Sequence, residues 1–238
     1  MTIVGYDARV TSISMPTQEL QEVYGVKTPQ ELLAFYARVS NEANQTNHRT
    51  GAKLIRGLIR REEWSPLEMV DATCEILATR DIGRQILRHS SLKPQEFSQR
   101  YAEVGTDIRG PILRELRYQD PINRQGSLEP DLRDPQQLGD QEWWLAAQGE
   151  IWLRAIAVYN QALARGIAKE QARVVLPEGN TPTKMYFNGR IRDWYHYTRV
   201  RTKEGSQKEH RHIANLCWNA IMKYFPDIPD HRATENLT

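Results

Sequence analysis

Two cysteines, Cys74 and Cys217, are all that 238 residues contain. Far apart in the chain, they exclude a disulfide scaffold and any cysteine-based zinc pattern. No apolar run approaches the roughly 18 residues that a membrane helix needs. The decapeptide MTIVGYDARV lacks the basic start and hydrophobic stretch of a secretion signal. The expectation is a cytoplasmic protein in a reducing compartment, away from membranes and without metal. Charge of one sign is missing too: 32 Lys and Arg against 30 Asp and Glu leave a formal +2. That excludes a general polyanion binder and makes any basic character local. Repeats and low-complexity segments are absent. What remains, 39% hydrophobic and 26% charged residues, is an ordinary globular composition, and the length suits one domain spanning 1–238.

Several elements can be read from spacing. Thr28, Pro29 and Glu31 open a helix expected over 29–39. Leu54, Ile55, Leu58 and Ile59 repeat at helical spacing, with a basic opposite face. Ser65-Pro66-Leu67-Glu68 reads as a capping box and a one-turn connector. The following Val70, Ala72, Cys74, Ile76 and Ala78 alternate as a half-buried strand does. Thr79 and Asp81 are expected to cap a helix through IGRQILRH, stopped before Pro94. The stretch from Gly105 to Gly139 has little periodicity and reads as a flap or an insertion. A long helix then begins near Trp143 and ends at Gly166, followed by a short one over 169–175. The segment 206–225 closes as a helix with Ile213, Leu216, Cys217, Ala220 and Ile221 on one face. Long helices and few strand candidates make the class α+β, helix-dominated around a small antiparallel sheet.

Arginine collects beside polar groups in three segments: QILRHSSLKPQEFSQRY, KEQARVVLP and RIRDWYHYTRVRTKEGSQKEH. Gln85, Arg88 and His89 fall on about one helical turn, while Glu96, Ser98 and Arg100 alternate as on one side of an extended segment. Such clusters are either solvated faces laced with ion pairs or a pocket in which planar guanidinium forks grip phosphate. In the second case Glu96, if unpaired, is free to hold a ribose hydroxyl or an imide N–H. Glu209, His210 and His212 make a poor metal set, because residues two apart on a helix point to different faces. Neither cysteine has a basic neighbour in sequence to make it a thiolate.

The segment RHSSLKPQEFSQRY resembles the motif of flavin-dependent thymidylate synthases: Arg-His-Arg, seven residues, Ser, then an Arg-Tyr pair. Arg88, His89, Ser90, Ser98, Arg100 and Tyr101 fill those places. ARVVLP resembles the second arginine block of that family. RVRTKEGSQKEH resembles the third, an Arg followed six residues on by Gln and then by Glu. YARVSNEANQTNH and TPTKMYFNGRIRDWYHY resemble a branch found in large viruses and bacteria, so the likeness runs from about residue 30 to 225.

The resemblance implies a homotetramer with active sites at subunit interfaces. It implies FAD as cofactor, NADPH as its reductant, and dUMP methylated from methylenetetrahydrofolate. Gln85, Arg88, Glu96, Ser98, Arg100, Arg173 and Arg201 match positions around dUMP, with Arg100 and Arg173 on the phosphate. Arg201 takes the position credited with activating the uracil ring. Asp71, Arg88, His89, Ser90, Glu96, Arg190, Arg192 and His196 match positions bordering the flavin. Ser90 departs from the motif, standing where its second Arg belongs; Met69 and His196 replace a histidine and an asparagine. A hydroxyl cannot reproduce a charged fork, so the missing contact falls to Lys93 or Arg190, and flavin retention is expected to be weak. Two other functions compete: flavin- and folate-dependent hydroxymethylation of dUMP or dCMP, and a non-catalytic nucleotide- or RNA-binding module.

Overall fold

Alternation builds the central strand of the computed structural model, which describes residues 5–108 and 110–232. The decapeptide read for a secretion signal lies partly outside them. In β2 (Asp71–Thr79), Ala72, Cys74, Ile76 and Ala78 are buried and the residues between them half-buried, as the spacing predicts, with Thr79 buried at the end. A four-stranded sheet runs in the order β1 (Asp7–Ile13), β2, β6 (Pro182–Arg190), β3 (Lys93–Glu96). A two-residue antiparallel pair, β4 (Tyr118–Gln119) with β5 (Ser127–Leu128), stands apart from it. The architecture is α+β and helix-dominated, with a small antiparallel sheet. β6 was not anticipated, although Thr183, Met185, Phe187 and Gly189 alternate inward on it.

Helix α1 covers Gln18–Tyr24 and α2 covers Pro29–Tyr36. The start of α2 is the expected one: the Thr28 hydroxyl accepts from the Glu31 N–H at 3.1 Å, and the Glu31 carboxylate accepts from the Thr28 N–H at 3.0 Å. It stops short of residue 39 because the Arg38 and Val39 amides turn to carbonyls three residues back. The Arg38 guanidinium then donates to the Asn47 carbonyl and the Thr50 hydroxyl, both at 2.7 Å. Helices α3 (Glu42–Gln45) and α4 (Gly51–Arg60) follow.

Three expected caps are corrected. Ser65 caps nothing: Ser65–Glu68 is a 3₁₀ turn without a side-chain cap, and Glu68 holds arginines instead. Helix α5 is Arg80–Ile86, shorter than expected, so Arg88 and His89 lie beyond its end. Thr79 and Asp81 give it no side-chain cap either. The Thr79 hydroxyl donates to Asp81 at 2.6 Å, and Asp81 and Thr79 both accept from the Arg114 guanidinium. A half-buried guanidinium outcompetes backbone amides for that carboxylate because both partners are charged.

The long helix α6 (Pro135–Ala164) begins before Trp143. Asp134 accepts from the Gln136 N–H at 2.9 Å and Pro135 takes the first helical position, a start signal concealed in polar composition. Gly166, at φ +80°, ends it as expected. Ahead of α6 the irregular chain is no loose flap. Buried Gln148 on α6 grips both the N–H and the carbonyl of Arg114 (2.9 and 2.8 Å), and Gln141 accepts from the Leu116 N–H at 2.6 Å. Helices α7 (Lys169–Ala172), α8 (Ile191–Arg201) and α9 (Lys208–Met222) complete the chain.

The chain divides into two compact units. The first takes Leu77–Arg88, Glu96–Met185 and the residues through Tyr6; its core gathers Val104, Ile108, Trp152, Tyr159, Ala172 and Leu176. The second takes Asp7–Ile76, His89–Gln95 and Tyr186 onward. Trp194, Tyr197, Phe187, Ile213, Cys217 and Phe225 are among its fully buried side chains.

Candidate active site

The first unit carries Gln85, Arg88, Glu96, Ser98, Arg100 and Arg173. Glu96 closes β3 and is not unpaired: its Oε1 accepts from Arg80 Nη1 at 3.3 Å and from the Thr183 hydroxyl at 2.8 Å. Arg80 and Thr183, overlooked in the sequence, therefore orient the one carboxylate of the set. Because β3 ends there, Ser98 and Arg100 do not continue its alternation. Residues 98–102 form a turn in which the Ser98 carbonyl accepts from the Tyr101 and Ala102 amides. Among the described residues Ser98 has no adjacent base, and its hydroxyl accepts from the Arg100 amide at 3.3 Å. Helix α7 holds this turn: Lys169 donates to the Tyr101 carbonyl at 2.9 Å, and Glu170 takes Arg100 Nε at 2.9 Å. Gln85 is half-buried on α5, Arg88 is exposed, and Arg173 is half-buried at the start of a 3₁₀ turn. Among the described residues the Arg88 and Arg173 guanidiniums have no hydrogen-bond or ion-pair partner, so both are available to an anion.

Asp71, His89, Ser90, Arg190, Arg192, His196 and Arg201 belong to the second unit. Arg190 and Arg192, at the β6–α8 junction, converge on Glu68, whose carboxylate lies 3.6 Å from Arg190 Nη1 and in closer contact with Arg192 Nη1. Asp193 stands at the same junction, its carboxylate accepting from the Arg190 amide at 3.3 Å. Arg192 Nε is buried without a partner among the described residues. His196 packs on Trp64 with ring centroids 4.6 Å apart. Burial first, then Arg192 and Arg199, push its pKa down, so the ring is neutral at physiological pH. Asp71 is half-buried, its carboxylate facing the Asn188 amide at 3.4 Å. Ser90 is exposed, and Lys93 donates to its carbonyl at 2.8 Å. Of the two cations expected to make good the missing motif arginine, Lys93 is thus beside the vacancy, while Arg190 is engaged by Glu68.

Arg201 ends α8, where the helix dipole favours a cation, and its Nε donates to His89 Nε2 at 2.8 Å. The His89 ring meets Tyr197 edge-on, centroids 4.9 Å apart, with His210 of α9 at 6.3 Å. Burial, Arg201 and His89 push the His210 pKa down to about 3. Tyr197 is fully buried and its hydroxyl is pushed well up, chiefly by burial. His210, weighed in the sequence only as a metal ligand, belongs to this ring cluster. Among the described residues no three His, Cys, Asp or Glu side chains gather as a metal set would. Cys74 and Cys217 are free and buried; a hydrogen bond between their thiols, with burial, drives the Cys217 pKa well up.

The family signature described as "Thymidylate synthase complementing protein" matches residues 22–227. The chain is 43% identical to a probable flavin-dependent thymidylate synthase of Paramecium bursaria Chlorella virus 1, over 93% of this chain and 96% of that protein. It is also 43% identical to the flavin-dependent thymidylate synthase of Synechocystis, over 84% of this chain and 88% of the relative. The chain belongs to the flavin-dependent thymidylate synthase family. Members of that family include an enzyme of Dictyostelium discoideum that is 32% identical over 80% of this chain and 60% of its own length. The fold is shared with the UMP/dUMP methylase PolB of Streptomyces cacaoi, at TM-score 0.75 and 22% identity over 97% of this chain and 94% of that one.

Proposed function

We propose that the chain catalyses the reductive methylation of dUMP to dTMP, with methylenetetrahydrofolate as carbon donor and NADPH-reduced FAD as hydride source. One observation carries the mechanistic side of this reading. Both cysteines of the chain are buried, and their thiols share a hydrogen bond. No thiolate is therefore on hand to add to uracil, whose C5 is a poor nucleophile. Activation falls to electrostatics, and Arg201 is the group for it. Donating to a ring oxygen, a preorganised guanidinium stabilises the negative charge that spreads over the ring oxygens and N3 as C5 attacks, and one such donor is commonly worth about 2.7–4 kcal/mol.

Arg100, Arg173 and Arg88 hold the phosphate end. Arg100 spends Nε on Glu170 and keeps both Nη groups for the ester; Arg173 and Arg88 bring unengaged forks. Glu96, with Oε1 committed to Arg80 and Thr183, presents Oε2 to a ribose hydroxyl or an imide N–H. Gln85 of α5 adds an amide to the dUMP set, and Ser98 binds substrate rather than attacking, since an unassisted hydroxyl is not activated.

The second unit fits FAD by its donor set: the paired guanidiniums of Arg190 and Arg192, with a buried Arg192 Nε that has no partner among the described residues, beside the Trp64–His196 aromatic surface. Asp71, His89 and Ser90 are the other residues of this unit assigned to it. When bound and reduced by NADPH, FAD supplies the hydride that completes the methyl group. The chain's own part is to hold the pyrophosphate and to keep a neutral His196 against the ring system.

We also read the protein as a cytoplasmic homotetramer built from one synthase domain per chain. Among the described residues no helix is long and apolar enough to cross a membrane. Trp143 and Ile151 on α6 and the nearby Val174 are 65%, 58% and 82% exposed, an apolar display that assembly would cover. The deciding experiment is product mass from dUMP, methylenetetrahydrofolate and NADPH with the yellow purified protein. A product at the mass of dTMP is expected; a product heavier by one oxygen assigns hydroxymethylation, and colourless inert protein that binds nucleic acid with a steep salt dependence assigns a binding module.

A further inference from the structure

Within the second unit, the bond between Arg201 and His89 does more than join two motif residues. An arginine Nε always donates, so Nε2 of His89 offers its lone pair and the ring proton lies on Nδ1. The Nε2 of His89 is thereby spent on Arg201. For Arg201 the consequence is directional. A guanidinium is planar, and fixing its Nε fixes the plane and aims the Nη fork away from His89.

The histidine is itself held. Tyr197 and Arg201 are four residues apart on α8 and share a face, so the His89 ring lies across both, edge-on to the Tyr197 ring. His210 of α9 faces it from the other helix, centroids 6.3 Å apart. Tyr197 and His210 are fully buried and pack on each other at 5.8 Å. Neither has room to swing, and a ring packed against them presents a fixed acceptor.

We propose that His89 is a positioning residue for Arg201: wedged against Tyr197 and His210, it accepts from Arg201 Nε and orients the guanidinium fork toward the uracil ring. The assignment rests on the reading of Arg201 as the group that activates uracil. It gives His89 a task separate from its position at the flavin border.

The test compares wild-type holoenzyme with His89→Ala, His89→Gln, Arg201→Ala and the His89→Ala/Arg201→Ala double variant, by flavin absorbance, dUMP affinity and turnover. Assayed at saturating FAD, His89→Ala is expected to lose about 100-fold in kcat, the scale of an ångström-sized misplacement, with little change in KM for dUMP. His89→Gln, whose Oε1 can accept the same bond, is expected to recover most of that loss. In the Arg201→Ala background, His89→Ala is expected to lower the residual turnover no further, because groups acting as one unit are not additive. A full additional loss of turnover there, a His89→Gln as impaired as His89→Ala, or a His89→Ala protein whose turnover is restored by excess FAD overturns the proposal. Near-normal turnover of Arg201→Ala overturns the underlying reading of Arg201 instead.

Discussion

At the scale of single residues, the chemistry turns on who holds each charge. Glu96 and Arg100 look free in the sequence and are held in the structure, by Arg80 with Thr183 and by Glu170. A sequence gives the charge of a residue but not its partner, since these partners lie far away in the chain. Ser90 is the clearest case where a one-residue departure has a local answer: the Lys93 ammonium sits on its carbonyl. Lys93→Ala is expected to weaken FAD binding, and Ser90→Arg to tighten it by about 10-fold, a modest value for charge-assisted hydrogen bonds. Flavin titration followed by fluorescence checks both, and a nanomolar wild-type dissociation constant with no gain from Ser90→Arg would count against a weakened site. Arg201→Ala is expected to cost at least about 100-fold in turnover while dUMP binding stays measurable by calorimetry; near-normal turnover removes Arg201 from its role.

Elements decide where those residues are carried. Helix α5 packs closely on β6 at Gly83, where an added Cβ would meet Met185 Sδ at 3.0 Å and Thr183 Cγ2 at 3.3 Å. The same Thr183 orients Glu96. Gly83→Val therefore overpacks the junction and is expected to cost about 1–3 kcal/mol of stability, read from urea unfolding, and to raise KM for dUMP; an unchanged midpoint would show that the junction yields. Element boundaries were legible only where local chemistry announced them. Thr28, Pro29 and Glu31 marked the start of α2, and Gly166 the end of α6. Where a side chain found a stronger tertiary partner, as Asp81 did in Arg114 and Glu68 in Arg192, the expected cap did not form. β6 and α8 went unassigned because arginines and aromatic residues interrupt their apolar patterns, although the period of two in β6 was there to be counted.

For the molecule as a whole, buried His210 ties stability to pH. Its pKa is about 3 in the fold, set by burial, Arg201 and His89, against an ordinary value of 6.5. Between those values the unfolded chain binds the proton and the folded one does not, so this contribution to stability rises with pH. Acidifying from about pH 7 to about pH 4 is expected to remove several kcal/mol through this one group. His210→Phe, which cannot take the proton, is expected to flatten the pH dependence of the unfolding midpoint over that window; an unchanged slope would assign it to other groups. The amino-acid sequence alone determined the family, the residue types at its motif positions and the helix-dominated class, because these depend on identities and spacings along one strand of chain. Only the tertiary structure decided which guanidiniums are committed and which are free, and that His89 holds Arg201. Hydrogen bonds form between groups that folding brings within about 3 Å, and no spacing in a linear sequence contains that distance.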